Sequence, residues 1–182
     1  LLASALEAML MELQANPRKI TQSVLRTIAS AVDLMDKLFD RFSDSEPEKC
    51  VSGRVLAVDD DRVCNQVVML TLRHAGLEPR TTEDPRAALQ WMHEERYDLI
   101  LLDIEMPGMD GFELCRSVRA LPGYRQTPVV FISSHTGFDK VSKVALAGGN
   151  DLIAKPVFPL ELAVKCVVQL IGSRLPAAAP RP

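Results

Sequence analysis

Over residues 1–43 the apolar positions recur at helical spacing. Leu2, Leu6, Met9 and Leu13 mark one face of a first helix. Leu25, Ile28, Val32, Met35, Phe39 and Phe42 follow at alternating steps of three and four in a second, with Val24, Ala31 and Leu38 widening the stripe. Asn16-Pro17 supplies the break between them. Thr21 is placed to cap the second helix, and Ile20 before it is positioned to meet Leu25 as a hydrophobic staple. Two helices cannot enclose so wide an apolar stripe by themselves. The hairpin must pack on a second hairpin, on the rest of its own chain, or on upstream sequence. Self-association into a four-helix bundle, a homodimer through residues 1–43, is the expectation. A connector pair continuing a longer parent chain is the alternative.

The stretch from Ser43 to Lys49 is polar, charged and carries Pro47, so residues 44–52 read as a linker. From residue 53 short apolar runs alternate with helical patterns. Strands are predicted at 54–58, 77–81, 98–102, 128–132 and 152–154, each separated by a helix-length segment. Asp84 before Pro85 has the form of a capped helix start, and Gly76 stands where a helix should stop. Such alternation predicts a parallel sheet with helices on both faces and right-handed crossovers. Strands one, three and four are nearly all apolar and suit the centre, while the more polar 77–81 suits an edge. Trp91 is expected against the sheet, and His74 and His93 as structural residues near helix ends. Residues 173–182, S-R-L-P-A-A-A-P-R-P, read as a disordered tail.

With 182 residues, 47% hydrophobic and 25% charged, the chain is long enough for one full domain and a short second one, and too apolar for a disordered or fibrous protein. A net charge of −3 offers no basic field for nucleic acid or an anionic membrane. The four cysteines form no C-x-x-C pair and have no histidine at ligand spacing, which argues against zinc and against a disulfide framework. Apolar runs are strand-length, well short of the ~20 residues of a membrane span, and no signal-peptide pattern opens the chain. A reducing, cytoplasmic setting is expected. The chain opens on Leu1 rather than a methionine, so its upstream context is unread.

In doubly wound sheets function gathers at the C-terminal strand ends. Here the first strand ends in Asp59-Asp60-Asp61, the third in Asp103, the fourth in Ser133-Ser134 and the fifth in Lys155-Pro156. Carboxylates brought together repel one another unless a cation neutralises them. An all-oxygen donor set without imidazole or thiolate favours Mg²⁺ over zinc or a caged calcium. With Mg²⁺ on two phosphoryl oxygens and Lys155 facing a third, a carboxylate could attack phosphorus, and Asp103 is the best-placed nucleophile. Asp-Asp-Asp alone would be an ordinary helix start, Ser133 an ordinary cap and Lys155 a surface residue; the constellation carries the inference.

The segments V-L-A-V-D-D-D, D-L-I-L-L-D-I-E-M-P-G-M-D-G, P-V-V-F-I-S-S and A-G-G-N-D-L-I-A-K-P, in this order and spacing, resemble the receiver domain of two-component response regulators. The resemblance covers about residues 53–172. It implies an α/β, flavodoxin-like, doubly wound five-stranded parallel sheet of order 2-1-3-4-5, here preceded by the two-helix hairpin. It further implies Asp103 as phosphoacceptor, Asp59 and Asp60 as the acidic pair holding Mg²⁺, and the Glu105 backbone carbonyl as a further ligand. Ser133 matches the hydroxyl that turns toward the phosphoryl group and Lys155 the lysine that contacts it, with a cis bond before Pro156. The implied partner is a sensor histidine kinase or phosphotransfer protein.

One position departs from the family pattern: Leu152 stands where an aromatic switch residue is usual, so a signal must leave through Ser133 and the following loop, or through another surface. Glu105 and His135 occupy positions that tune acyl-phosphate lifetime in the family. The expected activity is a phosphorylation-controlled switch, enzymatic only toward itself. Two alternatives stand beside it, a phosphorylation-independent scaffold and an Asp-nucleophile phosphatase. The phosphatase wants a second Asp two residues after the nucleophile, where this chain has Glu105.

Overall fold

The computed structural model describes residues 2–41, 52–134 and 138–175. Helix α1 (Leu2–Ala15), a 3-10 turn (Pro17–Lys19) and α2 (Gln22–Arg41) form the hairpin. Then follow β1 (Arg54–Val58), α3 (Arg62–His74), β2 (Glu78–Thr82), α4 (Pro85–Glu94), β3 (Leu99–Asp103) and α5 (Gly111–Ala120). The chain closes with β4 (Val129–Ser133), α6 (Phe138–Leu146), β5 (Asp151–Ala154) and α7 (Pro159–Arg174). All strands are parallel, in the order β2-β1-β3-β4-β5. The fold class is the one expected, and β2 is the polar edge strand.

Strands β2 to β5 each begin one residue from the position the apolar pattern predicts. Leu77 is apolar but its N–H bonds back to Leu72 O at the end of α3, so pairing starts only with Glu78, which donates to Gly53 O. At the other ends, Asp103 and Ser133 are themselves strand residues, which the apolar runs alone did not include. Asp84 caps α4 through Arg86 N, and Gly76, with φ of 75°, ends α3 in the left-handed region.

Apolar side chains divide among three contiguous cores. Leu56, Ile100, Leu102, Phe131 and Leu152 face α4, α5 and α6 on one side of the sheet. Val55, Leu99, Leu101, Val130 and Ile153 face α3 and α7 on the other. The third core lies outside α7, where Leu2, Leu6, Met9 and Leu13 of α1 and Val24, Ala31 and Leu34 of α2 close on Val164, Val167 and Val168. Helix α7 is thus buried on both sides, which explains why its sequence is apolar almost all round. The hairpin forms a fourth layer.

This placement resolves which surface the hairpin's apolar stripe meets: it is the chain's own α7. Thr21 caps α2, accepting from Val24 N at 3.2 Å. The face that turns inward, however, runs through Val24, Thr27, Ala31 and Leu34, whereas Leu25 and Val32 remain 54% and 52% exposed. Ile20 and Leu25 both stand about half exposed, so the predicted staple is not a buried contact. Of the stretch expected as a tail, Ser173 and Arg174 instead complete α7 and Leu175 packs against the third core. Residues 44–51 of the linker expected over 44–52, together with Phe42, His135 and residues 176–182, lie outside the described residues. Trp91 packs on the first core with the Arg80 guanidinium 3.6 Å above its ring.

Because α7 belongs to two cores, hairpin and sheet should unfold together. Met9 is fully buried in the third core, and Met9→Ala should cost about 2–5 kcal/mol in urea melts while retaining one transition. Two separate transitions in the wild type would show that the hairpin is energetically independent.

Candidate functional site

The sheet's twist and the register of β1, β3 and β5 bring residues from distant parts of the chain to one edge. Within the acidic triplet the roles separate. Asp59 is buried at the end of β1, Asp60 is exposed, and Asp61 caps α3 by accepting from Val63 N at 2.8 Å. The Asp61 N–H in turn donates to Asp59 Oδ1 at 2.9 Å, which fixes the Asp59 carboxylate toward β3. Asp103, at the end of β3, is also buried. One carboxylate oxygen from each of Asp59, Asp60 and Asp103 lies within 4.8 Å of the others.

Lys155 closes the cluster from β5. Its Nζ lies 2.9 Å from Asp59 Oδ2, 3.2 Å from Asp59 Oδ1 and 3.1 Å from Asp103 Oδ1. The Oδ2 contact is one of charge only: Asp59 Oδ2 is buried and has no hydrogen bond of acceptable geometry. Burial alone would lower the Lys155 pKa, but its bonds to the two carboxylates outweigh that and hold it above the ordinary lysine value. Asp103 moves the other way from a free aspartate. Burial first, and then the Asp59 charge, push its carboxyl pKa up, with Lys155 opposing. Cys64 on α3 sits against Asp59, and burial together with that contact pushes its thiol up to about 12, so it stays protonated near neutrality.

Ser133 is fully buried at the end of β4, and its carbonyl accepts from Lys155 N at 2.8 Å, which ties the β5 terminus to β4. The peptide bond between Lys155 and Pro156 is cis. Glu105 is exposed in the loop after β3, and Leu152 is buried in β5. Every residue singled out at the strand ends therefore lies on this edge of the sheet. Beside the cluster is a cleft of about 470 Å³ whose walls include Val63, Cys64, Val67 and Val157, with Asp61, Ser134 and Lys155 at the polar side.

Two supporting residues were not singled out from the sequence. Asn65 is buried in the first turn of α3 and donates its amide to Asp59 O at 2.7 Å and Thr82 O at 3.4 Å, pinning the loop that carries the acids. Its position one and a half turns past Asp59 was the available signal. Gly111 opens α5 against the end of β3, where a Cβ would lie 2.1 Å from Asp103 O. Only glycine permits that approach, and the D-G pair after the acidic strand marks it.

The chemistry of the donors fits a hard divalent cation. Three carboxylates converge, one buried oxygen lacks a directed partner, and among the described residues no histidine joins them. In the absence of a cation the raised Asp103 pKa means that ionising this group opposes folding. That penalty is absent at low pH and appears as pH rises through the folded-state value. A bound cation requires the ionised carboxylates and so competes with the proton.

The comparisons with known proteins agree with this geometry. The family profile for the response regulator receiver domain matches residues 55–166. The cyclic di-GMP phosphodiesterase response regulator RpfG of Xanthomonas campestris pv. campestris is 36% identical over 126 residues, covering 65% of this chain and 32% of its own length. The DNA-binding response regulator MtrA of Mycobacterium tuberculosis is 35% identical over 117 residues, covering 64% of this chain and 50% of its own. The chain thus spans about a third to a half of the length of these curated relatives. The solved structure of the chemotaxis protein CheY4 of Vibrio cholerae superposes with a TM-score of 0.59 at 36% identity, covering 61% of this chain and 92% of CheY4.

Titrating Mg²⁺ near neutral pH should raise the melting temperature, by the equivalent of about 2.7 kcal/mol at a hundredfold excess over Kd. The gain should shrink as pH falls through the folded-state pKa of Asp103. A gain that persists undiminished in acid would mean the cation does not use these carboxylates. Separately, Gly111→Ala should destabilise the protein by about 1–3 kcal/mol in urea melts, because the added methyl group meets backbone and not a movable side chain; an unchanged midpoint would show that the β3 terminus yields freely.

Proposed function

The chain belongs to the response regulator receiver family, and we propose that it is a phosphoacceptor switch, with Asp103 taking a phosphoryl group from the phosphohistidine of a partner kinase or phosphotransfer protein. The observation that carries this reading is the Lys155 ammonium within about 3 Å of two buried carboxylates at neighbouring strand ends. Such an arrangement stores negative charge where a phosphoryl group must arrive and supplies one fixed positive charge to receive it.

In this reading an Asp103 carboxylate oxygen attacks phosphorus, the phosphorus–nitrogen bond of the donor breaks, and its electron pair returns to the imidazole. Lys155 exchanges its contact with Asp103 Oδ1 for a phosphoryl oxygen, and the Ser133 hydroxyl supplies a further donor. Asp59, Asp60, Asp103 and the Glu105 carbonyl would hold Mg²⁺, which when bound draws charge from the phosphoryl oxygens. Water later cleaves the phosphorus–oxygen bond and returns Asp103 as a carboxylate. The chain acts only on itself in this scheme.

The net charge of −3 supports a protein partner rather than nucleic acid, and no described helix is long and apolar enough to cross a membrane. The cytoplasm, where soluble kinase domains present phosphohistidine, is the proposed place of action. A homodimer through residues 1–43 has a narrower basis than the apolar stripe first suggests, since α7 takes the inner face and leaves chiefly Leu10, Met11, Leu25 and Val32 outside. Leu152, buried where an aromatic switch is usual, favours a second reading in which the receiver is a scaffold indifferent to phosphorylation.

Incubation with acetyl phosphate and Mg²⁺ should add one phosphoryl mass that is lost on standing, and Asp103→Asn should take up none. A stable adduct, or one retained in Asp103→Asn, would overturn the assignment. Equal partner binding by phosphorylated wild type and Asp103→Ala would favour the scaffold.

A further inference from the structure

The hairpin packs on α7 through apolar groups and reaches the sheet through polar ones. Ser23 and Thr27 of α2 and Glu161 of α7 are all buried, at 2%, 1% and 2% exposure. Ser23 Oγ lies in hydrogen-bond contact with Glu161 Oε1 and 3.0 Å from Leu152 O, and Thr27 Oγ1 lies 3.3 Å from the same Glu161 oxygen. Leu152 belongs to β5, an edge strand, so its outward carbonyl would otherwise be unpaired. Lys155, three residues further along, directly follows the end of this short strand.

Proton arithmetic constrains the cluster. Ser23 has one hydroxyl proton and two acceptors in reach, and Thr27 donates its own proton to Ser23 O at 3.0 Å. If Glu161 were ionised, either Leu152 O or the carboxylate would lose its donor in a site closed to water. A neutral Glu161 satisfies all three: its O–H donates to Ser23 Oγ, and Ser23 donates to Leu152 O. Burial pushes the Glu161 pKa up, in the same sense, against the Ser23, Lys165 and Thr27 contacts that lower it.

We propose that this Glu161–Ser23–Leu152 clasp makes Ser23 and Glu161 positioning residues for the phosphoacceptor site: by fixing the outer edge of β5, the hairpin sets where the Lys155 ammonium stands over Asp59 and Asp103. The proposal rests on the reading of Asp103 as phosphoacceptor. It gives the hairpin, which lies outside the residues matched by the receiver family, a direct hold on the receiver's chemistry. The inner end of β5 is tied to β4 by the Lys155 N to Ser133 O bond, so the clasp supplies the complementary restraint on its outer side.

The test uses the full chain with Ser23→Ala, Glu161→Leu, Glu161→Gln and, as a control, Val24→Ala, which trims an apolar contact of the same helix face. Acetyl phosphate labelling should slow about fivefold or more in Ser23→Ala and Glu161→Leu, because the receiving charge is displaced. Mg²⁺ should bind those two variants more tightly, because Lys155 no longer competes for the carboxylates. Glu161→Gln keeps a donor at the same place and should stay within about twofold of wild type. Val24→Ala should lose thermal stability without changing either reading. Slower labelling with tighter Mg²⁺ binding cannot come from partial unfolding, which would weaken both. Wild-type behaviour of Ser23→Ala and Glu161→Leu in both assays would overturn the clasp. A wild type that takes up no phosphoryl group would count against the function proposed for Asp103, and the Mg²⁺ comparison would still decide the clasp.

Discussion

Two carboxylates, Asp59 and Asp103, stand almost out of solvent at neighbouring strand ends, and one ammonium, Lys155, lies about 3 Å from both. Mutual repulsion of the acids is the constraint that shapes the rest of this edge. Asp61 N and the Asn65 amide hold the first acid in place from α3. Gly111 lets α5 approach the strand that carries the second. The end of β5 is tied to β4 so that its lysine reaches across. A single positive charge for two buried negative ones leaves the site short of neutral, which suits it to the cation and to the positively polarised phosphorus of the proposed reaction. Burial raises the Asp103 pKa first and the Asp59 charge adds to it, while the same two carboxylates raise that of Lys155 against its own burial.

The hairpin extends the same logic to packing. An isolated receiver fold could expose the outer face of α7, but here Val164, Val167 and Val168 make that face apolar and α1 and α2 cover it. Covering β5's edge also brings hydroxyls to the strand that leads into Lys155, so the layer that packs on α7 by area is joined to the sheet by directed bonds. Lys165, buried one turn past Glu161, pairs with Asp151 at 2.7 Å and closes the same seam at the start of β5. A signal from Asp103, in the proposed role, would therefore meet a β5 already engaged by the chain's own helices.

Strand number and the acid, hydroxyl and amine positions were legible in the sequence because each is written locally, as an apolar run followed by a polar residue at its C-terminal end, whereas the strand order followed only from the resemblance of the four motifs to the receiver family. Boundaries slipped by a residue because an apolar side chain such as Leu77 can be buried while its backbone still belongs to a turn. The partner of the hairpin was harder. Periodicity reports that a face is buried and not what buries it, and the stripe through Leu25 and Val32 was only half right in direction. The nearly uniform apolarity of α7 was the missing signal, since a helix that needs two apolar faces must have two neighbours. Ser23 and Glu161 could not be singled out because nothing local distinguishes a buried polar residue from an exposed one; their partners lie across the fold.

The electrostatic account is tested most directly by following the side-chain carboxyl of Asp103 by carbon NMR as pH is varied, in wild type and in Lys155→Gln. Removing the ammonium deletes the influence that lowers the Asp103 pKa while burial and the Asp59 charge remain, so the midpoint should move to higher pH in the variant. A midpoint that is unchanged, or lower, would mean that Lys155 does not hold these carboxylates in their charged state.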